Sequence, residues 1–212
     1  CAEAGVSLWK MRTGKLSDRD DSDDFSKIGQ AMGVLAETPI FIDDSASANI
    51  MEIRTKARRL QMEHKLGLIV IDYLQLMEGR GKYGDNRVQE VAEITRALKG
   101  LARELNIPVL ALSQLARAVE QTKPAIPRLS HLRESGSIEQ DADVVMFIYR
   151  KAADRGYQIE ELTEAEKSVA QIYVAKHRNG PTGRVDLFFD ENTVSFKNLA
   201  KGEYDIPDEL SE

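Results

Sequence analysis

Hydrophobic residues recur along this chain with two different periods, and the alternation between them outlines an α/β domain. Ile50, Ile53, Ala57 and Leu60 follow one another at spacings of three and four, which predicts an amphipathic helix over residues 49–63. Asn49, with Glu52 three residues later, supplies a capping pattern at its start. The other face carries Arg54, Lys56, Arg58 and Arg59 and reads as ordinary solvated surface. The segment Leu66-Gly67-Leu68-Ile69-Val70-Ile71 is almost entirely apolar, the mark of a strand buried on both faces of a parallel sheet. It stops at Asp72. A polar, glycine-rich stretch over 78–86 predicts a loop, after which Val88, Val91, Ile94, Leu98, Leu101 and Leu105 form a second helical stripe. A strand over 107–112 follows. Strands alternating with helices in this rhythm imply right-handed crossovers and an α/β sheet.

The two ends differ from this middle. Residues 144–149, 168–175, 184–189 and 193–196 are strand-like, and Gly180-Pro181-Thr182-Gly183 supplies a turn, so an antiparallel edge on the parallel core is expected. Residues 1–6 read as the end of a helix followed by a turn. Asp18, Asp20, Asp21, Asp23 and Asp24 crowd one short segment, which fits a solvated turn, a helix start or a metal-binding loop. The glycine and terminal glutamate of a calcium loop are missing, which favours the solvated reading. Pro39-Ile40-Phe41-Ile42, ending at Asp43-Asp44, reads as a strand. Residues 206–212 are acidic and polar and are expected to fray. Residues 1–198 are read as one domain and 199–212 as an acidic tail.

Composition narrows the classes. A chain of 212 residues with 42% hydrophobic content can bury a substantial core. Its one cysteine, Cys1, excludes an internal disulfide framework or a cysteine metal cluster, which suits a reducing, cytoplasmic setting. No apolar run approaches the roughly 18 residues of a spanning helix, and no signal peptide opens the chain; a soluble protein without a membrane partner is expected. The net charge of −6 argues against a wholly basic nucleic-acid coat, though local basic loops can still grip a phosphate backbone. Because the chain opens on Cys1 and not on methionine, it reads as a fragment or processed piece.

In open α/β sheets ligands collect beyond the carboxyl ends of the strands. Asp72 stands at such an end, where a carboxylate on a rigid strand can bind Mg²⁺ directly or through its waters; the pattern alone has low specificity. Ser113 and Gln114 end the next strand, and a glutamine there either contacts a nucleotide γ-phosphate or caps a loop. Between 124 and 143 the chain is unusually polar, with Arg128, His131, Arg133, Glu134, Ser135, Gly136, Ser137, Glu139, Gln140 and Asp141. Free backbone amides around Gly136, together with Arg133, suit single-stranded nucleic acid held by its phosphates, without aromatic stacking and with strong salt dependence. Alternation puts Lys176 and Arg178 on one face and His177 on the other. That pair either reaches a phosphate on a neighbouring subunit or is a solubilising sheet edge. His64, His131 and His177 are dispersed without paired metal-ligand spacing, so structural or surface roles are favoured.

Four stretches together resemble a known family. Leu68-Ile69-Val70-Ile71-Asp72-Tyr73-Leu74-Gln75-Leu76, Leu112-Ser113-Gln114-Leu115-Ala116-Arg117-Ala118-Val119-Glu120, Leu132-Arg133-Glu134-Ser135-Gly136-Ser137-Ile138-Glu139-Gln140-Asp141-Ala142-Asp143 and Lys176-His177-Arg178-Asn179-Gly180-Pro181-Thr182-Gly183 look like the successive signatures of bacterial DnaB-type replicative helicases, in the family's order. The resemblance implies a RecA-like P-loop NTPase core, a mostly parallel sheet flanked by helices with antiparallel strands at the C-terminal edge. It implies a homohexameric ring that uses ATP and Mg²⁺ to advance along single-stranded DNA and unwind duplex at the replication fork. Primase and a helicase loader are the implied partners of the full-length protein. Asp72 then matches the Walker B aspartate and metal ligand, and Gln114 the glutamine that senses nucleotide state. Arg133, Glu134 and Gly136 match the DNA-contacting loop. Lys176 and Arg178 match the pair offered to a neighbouring subunit's nucleotide, Arg178 as the arginine finger, which displaces the solubilising-edge reading.

The departures matter too. The chain contains no Gly-x-x-x-x-Gly-Lys-Ser/Thr; Gly14-Lys15 and Gly79-Arg80-Gly81-Lys82 lack the spacing and the hydroxyl. The phosphate-binding loop and catalytic glutamate are expected upstream of Cys1, with the primase-binding domain, so this chain alone is expected to be inactive for ATP hydrolysis. The aspartates around Asp21 and the histidine at 131, where an acidic residue is common, also differ from the family pattern. Two other readings compete. A RecA-like recombinase or repair ATPase should lack the long 133–143 signature. A non-catalytic module docking on rings or DNA would lack a coding sequence continuing through a phosphate-binding loop.

Overall fold

The computed structural model describes residues 1–18, 23–45, 49–79, 86–132 and 136–199. In chain order its elements are α1 (Leu8–Thr13), α2 (Asp24–Glu37), α3 (Ile50–His64), β1 (Ile69–Ile71), α4 (Arg87–Leu105) and β2 (Val109–Ala111). They continue with α5 (Gly136–Asp141), β3 (Val144–Tyr149), α6 (Glu164–Ser168), β4 (Val169–His177), β5 (Gly183–Asp190) and β6 (Ser195–Asn198). The chain forms two compact units, one of residues 1–41, 148–172 and 184–212, the other of residues 42–147 and 173–183. β1 and β2 make a two-stranded sheet, and the other four strands make a sheet in the order β3-β4-β5-β6.

The second of these units holds the larger set of motifs. Asn49 caps α3 as its sequence suggests, its side-chain oxygen accepting from the amides of Met51 at 3.0 Å and Glu52 at 3.1 Å. The basic face of α3 is neutralised locally. Arg54 and Arg58 both pair with Glu104, Lys56 with Asp43 and Arg59 with Glu63, in keeping with a solvated surface. α4 presents Val91, Ile94, Leu98 and Leu101 inward, whereas Val88, at the same helical phase, stays exposed. Ile50, Leu74, Met77, Val91, Ile94, Leu98 and Ile138 form one buried cluster. Ile94 is fully buried there, so Ile94→Ala is expected to cost about 2–5 kcal/mol through lost burial and a residual cavity. Urea unfolding checks this as a lowered midpoint at unchanged slope, with the exposed Met62→Ala control expected within about 0.5 kcal/mol of the parent.

β1 and β2 pair in parallel with Ile69 opposite Val109, Val70 opposite Leu110 and Ile71 opposite Ala111. Ile71, Val109 and Ala111 pack on the core, but Val70 is 54% and Leu110 40% exposed. Burial on both faces, expected from the unbroken apolar run, is therefore not what these strands show. Only the inward phase of the pleat is covered by helices of this unit. The strands are also shorter than the apolar runs, because backbone pairing, not side-chain polarity, sets where a ladder ends.

In the other unit, α2 starts at Asp23, whose carboxylate accepts from the amide of Ser26 at 2.9 Å. Asp24 is buried, paired with Lys10 at 2.8 Å and accepting from the amide of Ser17 at 3.0 Å. Of the aspartate cluster, these two thus serve a helix start and an internal ion pair; residues 19–22 lie outside the described residues. β5 and β6 form an antiparallel ladder from Leu187 opposite Asn198 to Asp190 opposite Ser195, the antiparallel strands expected towards the carboxyl end but in a sheet separate from β1 and β2, with the Phe189 and Phe196 rings 5.0 Å apart. Two expectations fail. Residues 2–5 form a turn and the first helix is α1, and residues 39–45 form no strand. Ile40 and Ile42 are exposed, and an apolar run without a partner strand has no ladder to join. Among the described residues no helix is long and apolar enough to cross a membrane.

Candidate functional site

The parallel register of β1 and β2 brings their carboxyl ends side by side. The Leu112 amide donates to the Ile71 carbonyl at 2.9 Å, and the Leu74 amide donates back to the Leu112 carbonyl at 2.9 Å. The chain therefore leaves β1 through Asp72 immediately beside the point where β2 gives way to Ser113 and Gln114. Asp72 and Gln114 are both exposed at this end, as an open-sheet ligand site requires. Among the described residues Asp72 enters no ion pair, and no cluster of three or more histidine, cysteine, aspartate or glutamate side chains is present. A lone carboxylate of this kind fits Mg²⁺, which keeps most of its waters and takes one or two protein ligands.

Gln75, a member of the Asp72 motif to which the sequence assigned no role, connects the two strand ends. Its side-chain amide donates to the Ser113 hydroxyl at 3.0 Å, and its side-chain oxygen accepts from the Gln114 amide at 3.2 Å. The Gln75 carbonyl in turn accepts from the Arg87 guanidinium at 2.9 Å, and that guanidinium also reaches the Met77 carbonyl at 3.3 Å and Glu90 at 2.5 Å. Glu90 accepts from the Gly79 amide at 2.9 Å, a bond that, ahead of Arg87, holds its carboxyl below the ordinary glutamate range. The first turn of α4 thus pins residues 75–79, and Gln75 fixes the backbone of Gln114. The sequence signal was thin: Gln75 and its partners are nearly forty residues apart, and only the parallel register brings them together.

Beyond Gln114 the chain returns on itself. Leu115 forms an antiparallel bridge with Leu132, and the Ala116 amide donates to the His131 carbonyl at 2.8 Å. Arg133 and Glu134 lie outside the described residues. Gly136 is exposed and opens α5, whose Ile138 is buried in the core cluster.

Lys176 and Arg178 do not sit on a sheet edge, because β4 lies between β3 and β5. They do share a direction, as alternation suggests. The Lys176 ammonium donates to the carbonyls of Ala142, at 2.9 Å, and Glu139. The Arg178 guanidinium donates to the Gln140 carbonyl at 2.9 Å. His177 turns away from them, accepting from the Asn179 amide at 3.3 Å. The structure therefore brings together Asp72 with Gln114, and Lys176 with Arg178 beside α5.

Known proteins resemble this chain in sequence and in fold. The family profile described as "DnaB-like helicase C terminal domain" matches residues 1–198. The chain is 49% identical over 201 residues to the "Replicative DNA helicase DnaB" of Geobacillus stearothermophilus, covering 95% of this chain and 42% of that protein. A solved structure described as an "ATPase Domain" superposes with a TM-score of 0.82 at 37% identity, covering 94% of this chain and 68% of that one. A second solved structure, described as "The Structure Of A DnaB-Like Replicative Helicase And Its Interactions With Primase", matches with a TM-score of 0.82 at 37% identity, covering 94% and 47%. The chain thus spans less than half the length of the curated relatives it matches.

Proposed function

This chain belongs to the DnaB-like helicase C-terminal domain family, and from that premise we propose that it is the motor segment of a hexameric, ATP-dependent replicative DNA helicase. The observation that carries the reading is the parallel pairing of β1 and β2, which sets Asp72 beside Ser113 and Gln114 at neighbouring strand ends. In this reading Asp72 would hold Mg²⁺, which would supply positive charge beside the nucleotide's phosphates. Gln114, its backbone held by Gln75, contacts the terminal phosphate through its side chain. Loss of that phosphate is passed along Leu115 to Leu132, the residue before Arg133. Lys176 and Arg178 face the nucleotide of the adjacent subunit.

The nucleotide is proposed to be held jointly. The 212 residues contain no Gly-x-x-x-x-Gly-Lys-Ser/Thr to cradle the phosphates, so turnover is assigned to the assembled full-length protein and not to this chain alone. Primase and a loader are proposed as its partners in that assembly, and the cytoplasm as its setting.

Single-stranded DNA is proposed to pass Arg133, Glu134 and Gly136 through phosphate contacts, since the sequence of this segment offers one cation and small residues but no array for reading base edges. One such contact is weak, and a ring multiplies it by presenting several loops to one strand. Arg133→Ala is therefore expected to weaken poly-dT binding far more in full-length rings than in isolated subunits. It should make the salt dependence shallower by about one released ion for each phosphate that Arg133 neutralises. Titration of labelled poly-dT and mixed-sequence oligonucleotides across a salt series checks this. Wild-type affinity and slope in the variant, or loss of binding to one base type only, contradicts the reading.

A further inference from the structure

Lys176 and Arg178 are more tightly organised than two cations waiting for a partner need be. Among the described residues, every hydrogen-bond acceptor of their side chains falls within residues 139–142, the last turn of α5 and the residue after it. The next residue, Asp143, holds Arg178 twice over. Its carbonyl accepts from the Arg178 amide at 2.8 Å, and its carboxylate lies 3.5 Å from the Arg178 Nε.

The helix end explains the attraction. The last carbonyls of a helix have no intrahelical donor and carry partial negative charge, so cations settle there. Here that end is itself anchored. The Thr95 hydroxyl donates to the Asp141 carboxylate at 2.6 Å, and Lys99, one turn further along α4, pairs with Asp143. Ile138 fixes the rest of α5 in the core. The Lys99 hydrogen bond, with added pull from Arg178 and Arg103, keeps the Asp143 carboxyl below the ordinary aspartate range.

We infer that Asp143 and the carboxyl end of α5 position Lys176 and Arg178 for delivery to the neighbouring subunit's nucleotide, an inference that rests on the function proposed for that pair. A guanidinium has five donors in a rigid fork. Nε lies 3.5 Å from the Asp143 carboxylate and one Nη2 donor is spent on Gln140, which fixes the plane of the fork, while among the described residues Nη1 makes no hydrogen bond. Fixing the fork before a phosphate arrives removes reorganisation from the step it stabilises. Both Asp143 and Arg178 are about half exposed, and such pairs add little to stability, so orientation is the role the cluster serves. Asp143 is a positioning residue, acting only through Arg178.

The test uses full-length rings carrying this chain, the remaining segments coming from its own coding sequence or from the Geobacillus stearothermophilus relative. Asp143→Asn is nearly isosteric and its site half exposed, so rings should form, which size-exclusion chromatography verifies. Its kcat for ATP is expected to fall about two- to fivefold, the range an exposed pair allows, with KM unchanged. Asp143→Glu, which keeps the charge, should recover most of that loss. The decisive comparison is the double variant Asp143→Asn/Arg178→Ala, whose phosphate release should equal that of Arg178→Ala alone. An unchanged kcat in Asp143→Asn, or a loss that persists in full without Arg178, overturns the positioning role. Wild-type turnover in Arg178→Ala would instead remove the finger assignment beneath it.

Discussion

Replacing Arg178, the proposed arginine finger, with alanine in the assembled full-length protein is expected to lower ATP turnover about 10³- to 10⁵-fold, the usual consequence of removing such a group. In the proposed reading the charge that builds on the transferred phosphoryl group is met in part by this guanidinium, arriving preorganised from the adjacent subunit. ATP affinity should change far less, because the contact strengthens only as charge develops. Arg178 is exposed, and its guanidinium is bound to a carbonyl at a helix end, so its loss should leave folding and ring formation intact. Steady-state phosphate release and equilibrium nucleotide binding, measured on the same rings, separate the two quantities. A loss below about tenfold would show that Arg178 does not reach the transferring phosphate.

The second large effect is expected at Asp72. Asp72→Asn removes the proposed Mg²⁺ ligand's charge while keeping its shape, and metal stabilisation of several kcal/mol corresponds to about a 10³-fold loss of turnover. The loss should not be restored by raised Mg²⁺, since the amide binds the ion poorly. Asp72 and Arg178 act on the same nucleotide from opposite sides of an interface in this reading. Mixing the two inactive variants should therefore recover activity. In a head-to-tail ring assembled at random from equal amounts, about a quarter of the interfaces join an intact Asp72 to an intact Arg178. Phosphate release from co-assembled rings should rise towards that fraction of wild type if interfaces act independently, and lower if they fire in concert. No recovery at any mixing ratio, with intact rings, would show either that both residues act on one subunit's nucleotide or that every interface must be competent before any turns over.

Helix and strand order in the centre of the chain was legible from local periodicity. α3 and α4 formed where spacings of three and four predicted them, and Asn49 capped α3, because a helix satisfies its backbone within its own segment and buries one stripe. β-structure was read less well for the opposite reason. Residues 39–42 have the composition of a strand and form none, while the apolar runs around Ile69 and Val109 yield three-residue strands with one exposed phase. A strand exists only where another chain segment completes its ladder, and that partner is not a local property.

The candidate site divides along the same line. Asp72, Gln114, Lys176 and Arg178 could be named from sequence, since each belongs to a continuous motif at the end of an apolar run and the motifs follow one another in the order of a known family. How those motifs are held could not. That Gln75 fixes Gln114, that Arg87 and Glu90 pin the turn beyond β1, and that Asp143 and the end of α5 hold Lys176 and Arg178 all depend on side chains from separate segments. By itself the sequence determined which chemical groups the protein carries and which local elements bear them, because both are properties of contiguous residues. The tertiary structure alone decided which groups face each other, because a hydrogen bond needs its partner within about 3 Å, and only folding brings distant positions that close.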